Sequence, residues 1–149
     1  MPLRQLFADS SVVIAGAISH TGASRDVLIM AEIGLYQLVL SHQVIDECER
    51  NLQKKHPAVL PYFAQLLAHI NLVVVPNPVP LALEPWLPHI EAKDAPILVA
   101  ALDAKVDRLL TLNPKDFTQQ IAQMSGLTMQ SPGEFIEELR TIVTARLQG

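Results

Sequence analysis

The order of apolar segments predicts that this chain of 149 residues forms a three-layer α/β/α fold with a mostly parallel sheet of about five strands. Short β-prone runs alternate with segments of helical periodicity, which is typical of a parallel sheet covered by helices on both faces. Half of the residues are hydrophobic and 17% are charged, a composition that favours a folded core over intrinsic disorder. Because no repeat or glycine-rich linker interrupts the pattern, residues 1–149 are predicted to form a single domain.

The strands are predicted from short apolar or β-prone runs. The first run ends at Asp9, and the third, LVVV, consists of residues that favour strands. The predicted strands are Leu3–Asp9, Tyr36–Leu40, Leu72–Val75, Arg108–Leu112 and Leu127–Gln130.

Helices are predicted between the strands, where apolar residues recur at helical spacing and polar residues mark the helix ends. Ser24 and Gly34 are predicted to start and stop one helix, and Ser41 and Asp94 to cap two others. The predicted helices cover Val12–Ile18, Ser24–Gly34, the residues after Ser41, the residues from Pro57 to about Ile70, those after Asp94 and those after Ser131-Pro132. Five prolines in Pro76–Pro88 predict an extended surface connection without a helix or a central strand.

Charge and hydropathy limit the classes of partner. The formal net charge is −4 and the eleven Lys and Arg residues are scattered, so the broad basic surface of a high-affinity nucleic-acid binder is not expected. A polyanionic substrate would therefore need bound cations to offset the repulsion. No apolar run reaches the roughly 20 residues of a membrane span and no secretory signal is recognisable, so a cytoplasmic protein without membrane contact is expected. The single Cys48 cannot form an internal disulfide, which fits a reducing compartment.

Acidic residues follow several of the predicted strands. Asp9 ends the first strand, Glu47 lies two turns into the helix after the second, and Asp94 begins the helix that leads to the fourth. Asn113 and Asp116 come just after the fourth strand. Because ligands of parallel sheets bind beyond the carboxyl ends of the strands, these residues are predicted to lie at one edge of the sheet.

Such a group of acids predicts a metal site. Carboxylates without a fixed cationic partner repel one another, and a divalent cation removes that cost. Oxygen ligands without Cys or clustered His favour Mg²⁺ or Mn²⁺ over Zn²⁺. Each acid also has a simpler explanation, since Asp9 and Asp94 are good helix N-caps and Glu47 alone would be a solvated helix charge. The hypothesis therefore depends on the whole set and on its placement by the topology.

Four segments resemble the PIN domain family, in the order in which the family carries them. The family's first strand, which ends in Asp, is matched by FADSSVVIAG, and the segment that supplies its Glu is matched by SHQVIDECERNL. The stretch that joins the third and fourth acids is matched by KDAPILVAALDAKVDRLLTLNPKDF, and a frequent closing helix by SPGEFIEEL. The resemblance spans nearly the whole chain and implies a PIN-like fold.

The resemblance also implies a fourth acid. Many relatives carry Asp where this chain has Asn113, and an amide oxygen brings no charge to a metal site. A branch of the family that reads Thr-x-Asn-x-x-Asp-Phe is matched by Thr111, Asn113, Asp116 and Phe117. On that match, Asp116 is predicted to supply the missing carboxylate.

The activity implied by the resemblance is that of a metal-dependent endoribonuclease, which hydrolyses RNA with Mg²⁺ or Mn²⁺ as its cofactor. Metal would be bound by Asp9, Asp94 and Asp116, and Glu47 would orient the attacking water or complete a second metal site. The residues that match the hydroxyl positions supporting the family's site are Ser11 and Thr111.

Partners are implied in the same way. The family includes toxins of toxin–antitoxin pairs, so an antitoxin protein is a candidate partner besides RNA. A homodimer is common in the family, and Leu35-Tyr36 and Leu60–Leu67 are candidate apolar surfaces. The alternative is a nucleic-acid-binding or scaffold module of PIN fold with weak or lost nuclease activity, which Asn113 and the lack of a basic surface favour. A bare structural domain, with the acids far apart, is the third hypothesis.

Overall fold

A parallel sheet of five strands forms the centre of the computed structural model, which describes residues 4–148. The strands are β1 (Gln5–Ala8), β2 (Gln37–Ser41), β3 (Leu72–Val75), β4 (Arg108–Leu110) and β5 (Met129–Gln130). They lie in the order β3-β2-β1-β4-β5, and every neighbouring pair is parallel. The predicted α/β fold is confirmed, while the predicted start of β1 at Leu3 lies outside the described residues.

Helices fill the connections between the strands. They are α1 (Ser10–Ile18), α2 (Ala23–Glu32), α3 (His42–Lys55), α4 (Leu60–His69), α5 (Pro80–Leu83), α6 (Ala95–Ala104), α7 (Gln119–Ser125) and α8 (Pro132–Gln148). A single 3₁₀ turn, Pro57–Val59, precedes α4. Within residues 4–148, no helix is both long and apolar enough to cross a membrane.

The core is built around β1, whose residues Leu6, Phe7 and Ala8 have no exposed surface. A central parallel strand is covered on both faces, and this explains why its sequence is apolar without alternation. The other side chains of the core come from β2, β4 and the inner faces of the helices. At one end Tyr36 packs edge-on against Phe135 of α8 with ring centroids 5.8 Å apart, and its hydroxyl donates to Val27 O at 2.5 Å.

The crossing of α1 and α2 is close because Gly16 has no side chain. A Cβ added at Gly16 would lie 2.6 Å from Leu28 Cδ1 and 2.9 Å from Ser24 O. Arg25 then ties the two helices together, since its Nε donates to Gly16 O at 2.6 Å. The same guanidinium lies 4.6 Å from the ring centroid of Tyr62 in α4, so one cation links three helices.

Gly16→Ala is expected to lower the free energy of unfolding by about 1–3 kcal/mol, because the backbone oxygen of Ser24 cannot move away without shifting α2. Urea unfolding followed by circular dichroism measures the change. The matched control is Gly133→Ala in α8, where the nearest atom to an added Cβ is Ser131 Oγ at 3.9 Å. That variant should stay within about 0.5 kcal/mol of the parent protein. Equal effects at the two positions would contradict close packing at Gly16.

Two predictions about helices are corrected by the structure, and one helix was missed. Ser24 does not cap α2, because the helix starts one residue earlier and Gly22, with φ of 104°, holds the N-cap position. The proline-rich connection contains the short helix α5, which proline permits because Pro80 stands at the first helical position and needs no N–H partner there. Helix α7 was not predicted, since only Ile121 of its residues is buried and the apolar period is therefore weak.

The surfaces predicted for a homodimer are partly wrong. Leu35 is 58% exposed, as predicted, but Tyr36 belongs to the core at 4% exposure. In the region Leu60–Leu67, Phe63 and Leu66 face inward and are buried. The physical reason is that α4 is amphipathic, so its apolar residues at helical spacing pack on the body of the protein instead of facing solvent.

Candidate active site at the carboxyl edge of the sheet

The order in which the chain adds strands to the sheet reverses between β1 and β4. The chain passes from β1 outward to β2 and β3, then returns to place β4 and β5 on the other side of β1. In open α/β sheets, ligands bind in the crevice beyond the carboxyl ends of strands at such a switch point. Asp9 directly follows β1, and Thr111 directly follows β4. The two side chains therefore meet where a ligand site is expected.

Asp9 is fixed by hydrogen bonds to both of its carboxylate oxygens and is only 3% exposed. Its Oδ1 accepts from the Ser11 hydroxyl and from Val12 N at 3.3 Å, and the second bond caps α1. Its Oδ2 accepts from Thr111 Oγ1 at 2.5 Å. Burial raises the pKa of Asp9, although these hydrogen bonds oppose the rise. Ser11 and Thr111, for which the resemblance implies supporting roles, thus both donate to Asp9.

The same two hydroxyls hold the loop that follows β4. Ser11 Oγ accepts from Leu112 N at 3.1 Å, and Thr111 Oγ1 accepts from Asn113 N at 3.0 Å. Asn113 O in turn accepts from Asp116 N at 3.0 Å, which closes a turn. The exposed Asn113 and the half-buried Asp116 are thus placed by a chain of hydrogen bonds that begins at Asp9.

Asp94 is the least satisfied polar group of the site. The residue is 8% exposed, and within residues 4–148 its buried Oδ2 has no hydrogen-bond partner. Burial raises its pKa to about 6, and the negative charge of Asp116 is the next largest contribution. Lys93 opposes the rise, while Glu91 and Asp9 add to it. Asp94 is therefore a buried carboxylate that faces other acids with a free oxygen.

The prediction that Asp94 caps α6 is wrong for its side chain. The residue holds the N-cap position, but its side chain makes no capping hydrogen bond. An N-cap side chain reaches back to the helix from extended backbone, whereas Asp94 has helical backbone angles, with φ of −99° and ψ of −22°. A capping hydrogen bond to α6 therefore does not explain why position 94 carries an acid.

Glu47 is linked to two other parts of the site. Its Oε2 accepts from Ser10 Oγ of α1 at 3.5 Å, and its Oε1 accepts from Gln43 Nε2 at 3.2 Å. Gln43 Nε2 also donates to Lys93 O at 2.9 Å, immediately before Asp94. Gln43 therefore connects the acid on α3 with the segment that carries the acid before α6.

Ser10 and Gln43 were not predicted from the sequence. Gln43 lies one helical turn before Glu47, a spacing at which side chains meet, so a search of that helix face would have found this contact. Its hydrogen bond to Lys93 O joins residues 50 positions apart, and no local sequence pattern predicts it. The contact of Ser10 with Glu47 joins residues 37 positions apart, which no local pattern predicts either.

Other ionisable residues lie around these acids. Lys93 pairs with Glu91 at 3.8 Å in an exposed contact. Lys115 and His89 line a polar cleft of about 420 Å³ beside Asp116. His42 is exposed at the first position of α3. Cys48 is buried, and burial raises the pKa of its thiol.

The acids lie at one edge of the sheet, but they do not form a complete metal coordination site. The charges of Asp116 and Asp9 both raise the pKa of Asp94, as expected for acids at the same edge of the sheet. Glu47 joins them through Ser10 and Gln43. Across residues 4–148, no three His, Cys, Asp or Glu side chains converge closely enough to hold an ion by themselves.

Known proteins share the fold of this chain. A family model described as PIN domain matches residues 5–115. The chain is similar to the structure of VapBC2 from Rickettsia felis bound to a DNA fragment from their promoter, with 16% identity, a TM-score of 0.65 and coverage of 85% of this chain and 98% of that chain. No curated protein matches at a significant level.

Two further solved structures are similar. For VapBC-1 from nontypeable Haemophilus influenzae the identity is 17%, the TM-score is 0.60, and the match covers 87% of this chain and 98% of that chain. For PAE2754 from Pyrobaculum aerophilum the identity is 14%, the TM-score is 0.58, and the match covers 90% of this chain and 88% of that chain. At these identities the three structures show a common fold.

Proposed function

Because this chain belongs to the PIN domain family, we propose that it is a metal-dependent ribonuclease that hydrolyses phosphodiester bonds of RNA. The observation that carries the proposal is the buried Oδ2 of Asp94, which has no hydrogen-bond partner within the described residues and faces the charge of Asp116. An arrangement of this kind costs folding free energy unless a cation neutralises it. Structural acids are normally paired, so this one is better explained by binding.

The residues present fit Mg²⁺ or Mn²⁺. The available donors are carboxylate oxygens, with hydroxyl and amide oxygens nearby, and such hard ligands suit these ions. Mg²⁺ commonly keeps several waters and uses only one or two protein carboxylates, so an open site is sufficient. Asp9, Asp94 and Asp116 would hold the ion, and Asn113 would add at most a neutral oxygen. When bound, the ion would lower the pKa of a coordinated water and offset charge on the phosphate.

The chain's own residues then have distinct tasks. Ser11 and Thr111 keep the Asp9 carboxylate in one orientation through hydrogen bonds on both of its oxygens. Glu47 is half-buried at the rim, where it would orient the attacking water or complete a second metal site. Lys115, which lines a cleft together with Asp116, would contact a flanking phosphate of the RNA. Such local cations matter because the net charge of the chain is −4.

The biological setting is proposed from the same family. Two of the similar structures are VapBC proteins, and that likeness supports the toxin of a toxin–antitoxin pair, with an antitoxin as partner. We further propose that residues 1–149 act as one domain in the cytoplasm.

Cleavage of labelled single-stranded RNA tests the proposed function. The purified chain should cut RNA in the presence of Mn²⁺ or Mg²⁺. Cleavage should stop when a chelator is added in excess. The Asp9→Asn protein, prepared in parallel, controls for contaminating nucleases. Equal cleavage by both proteins, or by neither, would count against the proposal.

The second candidate function is a PIN-fold binding or scaffold module, which the exposed neutral Asn113 favours. Calorimetric titration separates the two, because a degraded site should show no heat of Mn²⁺ binding at millimolar metal. No heat of Mn²⁺ binding, together with no cleavage of any RNA, would favour the scaffold.

Gln43→Leu is expected to weaken Mn²⁺ binding roughly 10-fold, because it removes the side-chain amide whose Nε2 donates both to Glu47 and to Lys93 O, next to Asp94. Titration calorimetry measures the affinity, and a thermal melt checks that the fold is kept. Gln53→Leu, at an exposed position of the same helix, is the matched control and should bind as the parent does. An unchanged affinity in Gln43→Leu would remove Gln43 from the site.

A further inference from the structure

The polar cleft beside Asp116 has two walls from different parts of the chain. One wall is the segment that leads from α5 to α6, and the other is the loop between β4 and α7. Leu87, His89 and Glu91 line the cleft from the first wall, and Lys115 and Asp116 line it from the second. Its volume of about 420 Å³ lies within the range of roughly 300–1,000 Å³ in which proteins bind small ligands or single groups of larger ones.

Both walls are fixed to the body of the protein. In the first wall Ile90 is buried, and the backbone N–H groups of His89 and Ile90 donate to Trp86 O at 2.8 and 3.1 Å. In the second wall Phe117 is buried, and its N–H donates to Asn113 O at 3.3 Å. The shape of the cleft is therefore set before any ligand binds, which lowers the entropy cost of binding.

The cleft adjoins the proposed metal site on both sides. Asp116 belongs to both, and its charge raises the pKa of Asp94. In the opposite wall, Glu91 O accepts from Asp94 N at 3.0 Å, so the same turn carries the rim of the cleft and the buried acid. An RNA strand with its scissile phosphate at these acids would place an adjacent nucleotide in the cleft.

The lining suits the parts of a nucleotide. Lys115 and His89 are exposed, and their N–H groups can donate to phosphate oxygens. Leu87 is 44% exposed and offers an apolar surface to a base. Asp116 would repel a phosphate less when a metal ion offsets its charge, and Glu91 is paired with Lys93 at 3.8 Å.

We propose that this cleft is a subsite for one unpaired nucleotide of the RNA, next to the scissile phosphate. His89 and Lys115 bind the phosphate of that nucleotide, and Leu87 contacts its base. This inference rests on the proposed nuclease function and narrows its substrate to single-stranded RNA. In a duplex the bases are paired and stacked, so a base could enter the cleft only by flipping out, which costs free energy.

Fluorescence anisotropy of a short labelled single-stranded RNA tests the subsite. Ca²⁺ replaces Mg²⁺ to slow cleavage during the titration, and a gel of the recovered RNA checks that it is intact. His89→Ala and Lys115→Ala should each raise the Kd roughly 3–10-fold. The matched controls are His20→Ala and Lys55→Ala, at exposed residues beyond α1 and at the end of α3, helices that both begin at the carboxyl edge. They should bind as the parent does.

The salt dependence of binding distinguishes a phosphate contact from a general loss of affinity. Each phosphate contact to a single strand contributes about 0.7 to the slope of log Kd against log salt concentration. Lys115→Ala should therefore lower this slope by about 0.7, and Lys55→Ala should leave it unchanged. Leu87→Ala should raise the Kd with the slope unchanged, because its contact is apolar. Annealing the RNA to its complement should weaken binding to the parent about 10-fold.

Cleavage by the same proteins in Mn²⁺ separates this inference from the proposed function. If the parent cuts RNA and the cleft variants bind as the controls do, the subsite is overturned and the nuclease stands. If the parent cuts no RNA but the cleft variants lose affinity, the nuclease is overturned and the subsite stands. A parent that binds no RNA would overturn both. Equal affinity for single-stranded and duplex RNA would overturn the assignment of an unpaired nucleotide.

Discussion

Replacing Asp9 by Asn is expected to reduce RNA cleavage by at least about 100-fold while leaving the fold intact. The amide keeps the size of the side chain and can still accept a hydrogen bond from Val12 N, so α1 keeps its N-cap. What is lost is the negative charge at the switch point, where Thr111 and Ser11 now hold a carboxylate in one orientation.

Initial rates of cleavage with Mn²⁺, measured beside thermal melts of the same preparations, test this expectation. Asp103→Asn is the matched control, because Asp103 is an exposed acid on α6 away from the switch point, and its rate should equal that of the parent. More than half of the parental rate in Asp9→Asn would show that the carboxylate is dispensable.

Asp94→Asn is expected to lower activity and metal binding but to raise the stability of the metal-free chain. Activity and Mn²⁺ binding should fall as strongly as for Asp9, because the free buried oxygen of Asp94 is the most available ligand. Without metal, the variant should be more stable than the parent by roughly 1–3 kcal/mol at neutral pH, since a buried charge that faces Asp116 is removed.

The stability gain depends on pH in a defined direction. The pKa of Asp94 is raised to about 6 in the folded chain from 3.8, so between these values the folded state binds more protons than the unfolded state. The parent should therefore lose stability as pH rises from about 4 to about 6 through this group, and the Asn variant should lack that loss. Urea unfolding across this range in a chelator measures both curves.

Asp107→Asn provides a control with the opposite sign. Burial works to raise the pKa of Asp107, but hydrogen bonds from the backbone N–H groups of Gln5 and Arg4, together with nearby arginine charge, lower it overall. Its contribution to stability is present at neutral pH and is lost on acidification. If Asp94→Asn and Asp107→Asn shift the pH profile in the same direction, the assigned origin of the Asp94 pKa is incorrect.

The sequence was informative where a feature is local. Strand positions followed from short apolar runs, and Ser41 was correctly predicted to cap α3, since its Oγ accepts from Val44 N at 3.3 Å. Asp9 could be placed at the carboxyl edge of the sheet because it directly follows a predicted strand, and the structure puts that strand at the centre of the sheet. These predictions need only neighbouring residues and the rule that parallel sheets bind ligands at their carboxyl edge.

What escaped prediction depends on backbone angles or on distant contacts. The side chain of Asp94 does not cap α6 because its residue has helical angles, which the motif Asp-Ala-Pro does not reveal. The bond from Gln43 to Lys93 O arises only when α3 and the segment before α6 come together in the fold. Helix α7 has too little buried surface for a clear apolar period.

The double use of Asp9 has an evolutionary consequence. The same carboxylate that stands at the proposed active site also caps α1, and Asn or Ser would serve nearly as well in the second task. A gene copy released from selection for cleavage could therefore exchange this acid in a single step and still encode a stable protein. Inactive descendants would keep the fold, the surfaces and the partners of their ancestor, and new binding roles could be selected from them.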